Sequence, residues 1–265
     1  MKYKVGFIGC GNMASAIIGG LKNKADISGS SIIVSDASEN ALKKAAEKLG
    51  VNTGDNCMVA ASCDVLFLSV KPQYYETVIN EIKDNITTGQ LIITIAPGKT
   101  LKWLGERLGA DKKIVRTMPN TPALVGEGIT GVCKNENVTD SEFDHAMSLL
   151  QSFGLAEEIP ESLMDVCVSV SGSSPAYVFM FIEAMADAAV ADGMPRDKAY
   201  KFAAQSVLGS AKMVLETGSH PGVLKDMVCS PGGTTIEAVR VLEEKGMRSA
   251  VIEAMKACTK KAKGL

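Results

Sequence analysis

A chain of 265 residues, 46% hydrophobic and 22% charged, is long enough for two packed domains and ordinary in composition for a globular protein. Its formal charge of -2 supplies no basic field for nucleic acid or an anionic bilayer, so neither is expected as a partner. Seven cysteines stand singly, with no CxxC pair, and the two histidines, His145 and His220, are far apart, which argues against a zinc site and for free thiols in a reducing, cytoplasmic compartment. The opening MKYKVGFIGCGNM lacks the layout of a signal peptide. The most apolar helical stretch, 176–190, carries Glu183 and Asp187 and reads as too short to span a bilayer.

In chain order, Val5-Gly6-Phe7-Ile8 is a short apolar strand that runs into Gly9-Cys10-Gly11-Asn12-Met13-Ala14 and a helix to about Lys24. Strand, glycine turn and helix in that order give a GxGxxG/A match its meaning. Gly9 permits the tight turn, Gly11 lets a pyrophosphate approach the backbone, and Ala14 lets the helix pack closely on a sheet. The helix N-terminus offers unpaired N–H groups and the positive end of its dipole to the phosphates. This pattern predicts a dinucleotide site for NAD(P).

A second strand over Ile32–Ser35 ends in Asp36 and leads into a lysine-rich helix over Glu39–Lys48. Asp36 stands where an acid accepts hydrogen bonds from an adenosine ribose, which favours NAD, and equally where a residue caps a turn. Ser35 and Ser38 tolerate a 2'-phosphate, but no arginine follows to clamp it, so the choice between NADPH and NADH stays open. The continuous apolar run Val65–Val70 suits a parallel strand covered on both faces, and Pro72 ends it, leaving Lys71 at the ligand edge of the sheet. Strands are predicted at Leu91–Ile95 and Lys113–Val115, and edge strands at Ile129–Cys133 and Ala156–Ile159. Between these last two, a helix over Ser141–Phe153 turns Phe143, Met147 and Leu150 to the core. Arg116-Thr117-Met118-Pro119-Asn120-Thr121-Pro122-Ala123 holds two prolines in four residues, a stiff loop at that same edge, with Asn120 free to bond across it.

From about Leu163 the pattern changes. Val166–Val170 pass into Ser171-Gly172-Ser173-Ser174-Pro175, read as a turn that starts a helix. Helices follow over Pro175–Ala191, Pro195–Thr217, Val223–Val228, Thr234–Glu244 and Arg248–Lys261. The first is apolar nearly all round, more than about a hundred residues can cover, so at least a homodimer is expected. Glu183 and Asp187 read as helix-surface or interface residues, His220 as a cap and His145 as a surface residue. Ser230-Pro231-Gly232-Gly233-Thr234-Thr235 lies directly before a helix. Two glycines and two hydroxyls there form a nest of backbone N–H groups fit for a small carboxylate, although capping alone explains part of the run.

On residues alone, a hydroxyacid dehydrogenase stays open, with Lys212 and Lys225 as generic proton carriers, and so does a nucleotide-sensing module without catalysis. The motifs in sequence favour neither. GCGNMA at the start, VKP at 70–72, RTMPNTPA at 116–123, SGSSPAY at 171–177 and HPGVLKDMVCSPGGTTIEAVRVLE at 220–243 together resemble the pyrroline-5-carboxylate reductases over essentially the whole chain. The resemblance implies an α/β N-terminal Rossmann domain over 1–162 and an all-helical dimerisation and substrate-binding domain over 163–265. It implies reduction of the cyclic imine 1-pyrroline-5-carboxylate to L-proline by NADPH or NADH, the last step of proline biosynthesis. It also implies intertwined homodimers, assembled five to a decamer.

Carried over by position, Gly9, Gly11, Asn12, Met13 and Ala14 hold the cofactor phosphates, and Asn56 lies near the adenosine ribose or its phosphate, at the end of the cofactor where Ser35 and Asp36 are read as candidates. Val70, Lys71 and Pro72 run along the cofactor, with Met118, Pro119 and Asn120 on the nicotinamide side. Ser230, Gly232, Gly233, Thr234 and Thr235 receive the substrate, Thr235 nearest the imine nitrogen. Two positions depart from the family pattern: Ser174 stands where glycine is common, and no arginine follows Ser35.

Overall fold

The computed structural model describes residues 3–264. It begins with β1 (Tyr3–Ile8), α1 (Asn12–Lys24), β2 (Ile32–Ser35), α2 (Glu39–Leu49), β3 (Asn52–Thr53) and α3 (Asn56–Ser62). Then come β4 (Cys63–Leu68), α4 (Tyr75–Ile82), β5 (Leu91–Thr94), α5 (Leu101–Leu108) and β6 (Lys113–Met118). The last part of the sheet is built by β7 (Gly128–Lys134), α6 (Asp140–Gln151) and β8 (Gly154–Glu158). Helices follow: α7 (Met164–Cys167), a π turn over Val168–Gly172, α8 (Ser174–Ala191), α9 (Arg196–Thr217), α10 (Pro221–Val228), α11 (Thr234–Glu244) and α12 (Met247–Ala262).

The eight strands form one sheet in the order β3-β2-β1-β4-β5-β6-β7-β8. The first six of that order pair in parallel, β7 runs antiparallel to β6, and β8 is parallel to β7. Strand order reverses at β1, between β2 and β4, and open parallel sheets of this kind receive ligands in the crevice at such a point. Alternation along the strands sends Phe7, Val34, Phe67, Ile93 and Val115 to one face, under α1, α2 and α6. It sends Ile8, Ile33, Leu66, Leu68, Ile92 and Ile114 to the other, under α3, α4 and α5. Phe7 and Phe67 are register partners, and their rings stack at 4.7 Å. Their neighbourhood is why these strands read as unbroken apolar runs.

Several sequence expectations shift. β4 ends at Leu68, two residues short of the apolar run, and Lys71 lies in the loop at the carboxyl edge of the sheet. Ile129–Cys133 is not an edge strand: β7 lies between β6 and β8, and the true edge on that side is β8. Alternating polarity at an edge and at a strand next to it looks alike in sequence. The segment 171–175, expected as a turn, is helical except at Ser173, because the π turn over Val168–Gly172 continues α7 and α8 starts at Ser174. The resulting helical run, Glu161–Ala191, spans 31 residues and is long and apolar enough to cross a membrane by length and composition, unlike the shorter helix expected over 176–190.

The chain packs as two units. One runs to Ser173 and takes back the residues from Cys258; the other is Ser174–Ala257. The division falls later than the change of sequence pattern at 162/163. Residues 169–173 pack with the sheet-bearing unit: Ser171 accepts a bond from Asn120, and Met118 lies against Gly172. In the second unit the buried core is three alanines, Ala186, Ala199 and Ala203, with Ile182, Met185 and Met194 around them. Phe179, Met180, Phe202, Leu215 and Met227 are each about two-thirds exposed.

Gln90, buried before β5, joins the end of α3 to the start of β4. Its Nε2 donates to Ala60 O and Cys63 O at 2.7 Å each, and its Oε1 accepts from Thr87 N. Gln90→Ala removes all three bonds and is expected to lower stability by about 2–3 kcal/mol, read as a lower urea midpoint with an unchanged slope.

Candidate active site

At the reversal point, Gly9 has φ +93, and a Cβ there would meet Ser69 backbone atoms at 2.8 Å. Only glycine lets the loops after β1 and β4 approach so closely. Gly9 N donates to Ser35 O at 2.8 Å, Ser69 N donates to Ile8 O, and the Ser69 hydroxyl donates to Gly9 O at 2.6 Å. The ends of β1, β2 and β4 are thereby fastened together.

A cleft of about 450 Å³ opens above them, bordered by Gly9, Gly11, Asp36, Asn56, Val70 and Lys71 from the sequence reading, and by Ser69, Tyr74 and Glu81, which that reading missed. No atom lies within 4 Å of a Cβ built on Gly11, so the backbone faces open space there. Gly11 is also the N-cap of α1, and no side chain caps that helix, so its first-turn amides are available to a pyrophosphate. Asn12 is exposed, Met13 half-buried and Ala14 buried against the sheet. The residues present therefore fit a dinucleotide. Tyr75, fully buried, donates its hydroxyl to Leu68 O at 2.5 Å and pins the end of β4 below Lys71; burial pushes its phenol pKa up.

Asp36 is held from two sides: Cys10 N donates to Oδ2 and Ser38 N to Oδ1, each at 2.9 Å. Ser35 is buried behind it and donates its hydroxyl to Asn56 Oδ1 at 2.7 Å, while Asn56 Nδ2 donates to Glu81 Oε2 at 2.8 Å. Burial first, and then the charge of Asp36, push the Cys10 thiol up to about 12.

Met118 ends β6, Pro119 and Asn120 follow it, and none of the three borders this cleft. Asn120 is buried, and its side chain is committed to the scaffold: Nδ2 donates to Ser171 O at 3.0 Å and Oδ1 accepts from Ile129 N at 2.9 Å. At the root of the loop, the buried Arg116 pairs with Glu161 at 2.8 Å, and the same carboxylate oxygen accepts from Leu101 N. The loop is rigid for these reasons as well as for its prolines.

The second unit carries the other predicted cluster. Gly232 has φ +67, Gly233 N donates to Ser230 O at 3.0 Å, and a Cβ on Gly233 would fall 2.4 Å from Ser230 Oγ. Gly233 is the N-cap of α11 and no side chain caps it, which leaves first-turn amides beside the Thr234 and Thr235 hydroxyls for an anion. Thr235 is half-buried and Thr234 exposed. His220 is a cap, its Nδ1 accepting from Gly222 N, and His145 is exposed on α6. Asp187 pairs with Arg196, a surface role.

Comparison with known proteins gives matches over the full chain. The model of the pyrroline-5-carboxylate reductase dimerisation family matches residues 161–265, and that of the coenzyme F420-dependent NADP oxidoreductases matches residues 4–98. A pyrroline-5-carboxylate reductase of Escherichia coli (strain K12) is 54% identical over 266 residues, covering 100% of this chain and 99% of the relative. The structure of a Coxiella burnetii pyrroline-5-carboxylate reductase superposes with a TM-score of 0.89 at 38% identity, covering 100% and 98% of the two chains. That of a Plasmodium falciparum pyrroline carboxylate reductase with NADP bound gives 0.89 at 34%, covering 99% and 97%.

Two outcomes follow from this geometry. Asn120→Asp sets a carboxylate oxygen against Ser171 O and is expected to destabilise the protein by about 2 kcal/mol or more, measured by urea unfolding. Burial is the leading cause that pushes the thiols of Cys10, Cys63 and Cys133 up to about 12, so thiolate is scarce at pH 8. Iodoacetamide at that pH should leave all three unmodified in the folded protein, as peptide mass mapping would show.

Proposed function

The chain belongs to the pyrroline-5-carboxylate reductase family, an NAD(P)H-dependent reductase of 1-pyrroline-5-carboxylate to L-proline in proline biosynthesis, and on that premise we propose how its residues divide the work. The observation that carries this reading is the 54% identity to the Escherichia coli enzyme over the whole chain.

When bound, NAD(P)H supplies a hydride to C5 of the ring, and the reaction is completed with a proton on the ring nitrogen. A protonated cyclic imine is already electrophilic, so the protein needs no nucleophile; it needs to hold, orient and exclude water. Gly9, Gly11, Asn12, Met13 and Ala14 carry the cofactor phosphates at the uncapped start of α1. Asp36 and Asn56 take the adenosine ribose, with Ser35 holding Asn56 from behind, and Val70, Lys71 and Pro72 line the path towards the nicotinamide. Met118, Pro119 and Asn120 shape the nicotinamide side. Asn120 acts there through the backbone it holds, since both ends of its amide are bonded within the protein.

The substrate carboxylate is received by the amides of Gly233, Thr234 and Thr235 at the uncapped start of α11, with Ser230 and Gly232 shaping the nest. The Thr235 hydroxyl bonds the ring nitrogen and orients the imine. Residues 163–265 serve dimerisation as well as substrate binding. Support comes from the alanine core of α8 and α9, too small to account for the exposed Phe179, Met180, Phe202 and Leu215. A second copy covers such a face, which is why the long apolar run Glu161–Ala191 reads as an interface in a cytoplasmic enzyme and not as a membrane span. Five such dimers form a decamer.

Purified protein is expected to oxidise NADH or NADPH only when 1-pyrroline-5-carboxylate is added, and no turnover from folded protein that binds nucleotide would overturn the reading. Thr235→Ala is expected to lower kcat/KM by about tenfold or more, the loss of one hydrogen bond to the reacting ring, with the thermal midpoint unchanged. Wild-type kinetics in that variant would remove Thr235 from the site.

A further inference from the structure

Two acids, Asp36 and Glu81, border the cofactor cleft on the β2 and α4 sides. Asp36 closes β2 with its carboxylate fixed by Cys10 N and Ser38 N, yet each oxygen keeps a second lone pair for a further donor. Glu81, from α4, borders the same cleft and is oriented by Asn56. Glu39 is the first residue of α2, and the capping position before it is filled, Ser38 Oγ accepting from Ala41 N. That helix start has therefore already used part of its donor capacity.

No lysine or arginine occurs between Lys24 and Lys43, and Lys43 lies a full turn inside α2. The cation that borders the cleft, Lys71, follows β4, and β1 separates β4 from β2 in the sheet. Neighbouring strands stand about 4.8 Å apart, so the backbone of Lys71 starts roughly two strand spacings from the end of β2. It belongs to the part of the cleft beyond the glycine turn.

A ribose 2'-hydroxyl donates a hydrogen bond to a carboxylate, whereas a 2'-phosphate brings negative charge and needs a guanidinium or ammonium partner. Resting on the reductase reading, we infer that this chain takes NADH in preference to NADPH, and that Asp36 and Glu81 set the preference. Asp36 receives the ribose hydroxyl. Glu81 acts at longer range, by its charge and by holding Asn56 against Ser35, which occupies the Asn56 carbonyl and one of its two amide hydrogens.

The test is a fluorescence titration of the protein with NADH and with NADPH in the absence of any imine, followed by kcat/KM for each. The expected result is a Kd for NADH at least about tenfold below that for NADPH, a difference of about 1.4 kcal/mol. Asp36→Asn and Glu81→Gln should each narrow the gap by tightening NADPH, with the double variant narrowing it further. Asp36→Asn gives up an acceptor for one of its two amides; Glu81→Gln keeps shape on an exposed side chain and reads the charge alone. Equal or tighter binding of NADPH by the wild type overturns the inference, as does an NADH preference that neither variant narrows. Protein that binds NADH selectively but reduces no imine refutes the reductase reading and sustains this one; protein that binds neither nucleotide refutes both.

Discussion

Gly9 and Ser69 approach to within a distance that no side chain could share, and the rest of the cofactor cleft is arranged around that contact. Because Gly9 bonds Ser35 O and accepts from the Ser69 hydroxyl, three strand ends are fastened at one residue. The direction in which α1 leaves the sheet is fixed there, and so is the direction of its uncapped amides. Asp36 depends on the same point, since one of its two holding bonds comes from the amide of Cys10, the next residue. A chain with any other residue at position 9 would have to separate β1 from β4, and with them the stacked Phe7 and Phe67 below.

Much of this arrangement is legible in the sequence. Local order is written in local pattern: the apolar runs of β1 and β2, the glycine turn, and the start of α11 after two glycines lie where periodicity and capping place them. Adjacency is not written that way. Glu81 looks like any exposed acid of an amphipathic helix, and nothing in sequence shows that α4 carries it to the cleft beside Asn56, twenty-five positions earlier. Asn120, between its two prolines, reads as a residue that bonds across its loop and does so to Ile129, but its second partner, Ser171, belongs to a segment that reads as a turn and is a π turn. The interior position of β7 could not be deduced either, because it depends on β8 returning through α6 to pair beyond it.

The two units solve the burial problem differently. The sheet-bearing unit closes over itself, with apolar side chains of every central strand buried on both faces. The helical unit buries alanines and leaves its large residues outside. Small residues let α8 and α9 lie close, and the apolar area left over is what a second copy buries. Self-association thus draws on the helices that follow the sheet, in the part of the chain that matches the dimerisation family.

The return of the C-terminal helix to the first unit also bears on the order in which the protein is made. Thr259 bonds Ser169 at 2.9 Å and Cys258 bonds Ser173 at 3.3 Å, across ninety and eighty-five positions of chain. During synthesis the sheet can assemble as soon as its strands emerge, but the segment 169–173 has no such partners until the end of α12 has been translated. At about 5–20 residues per second, that leaves an interval of seconds in which a strongly apolar helix is made while its base is held from the sheet side alone, by Asn120. For that interval Phe179, Met180 and Phe181 of α8 stand exposed on the growing chain.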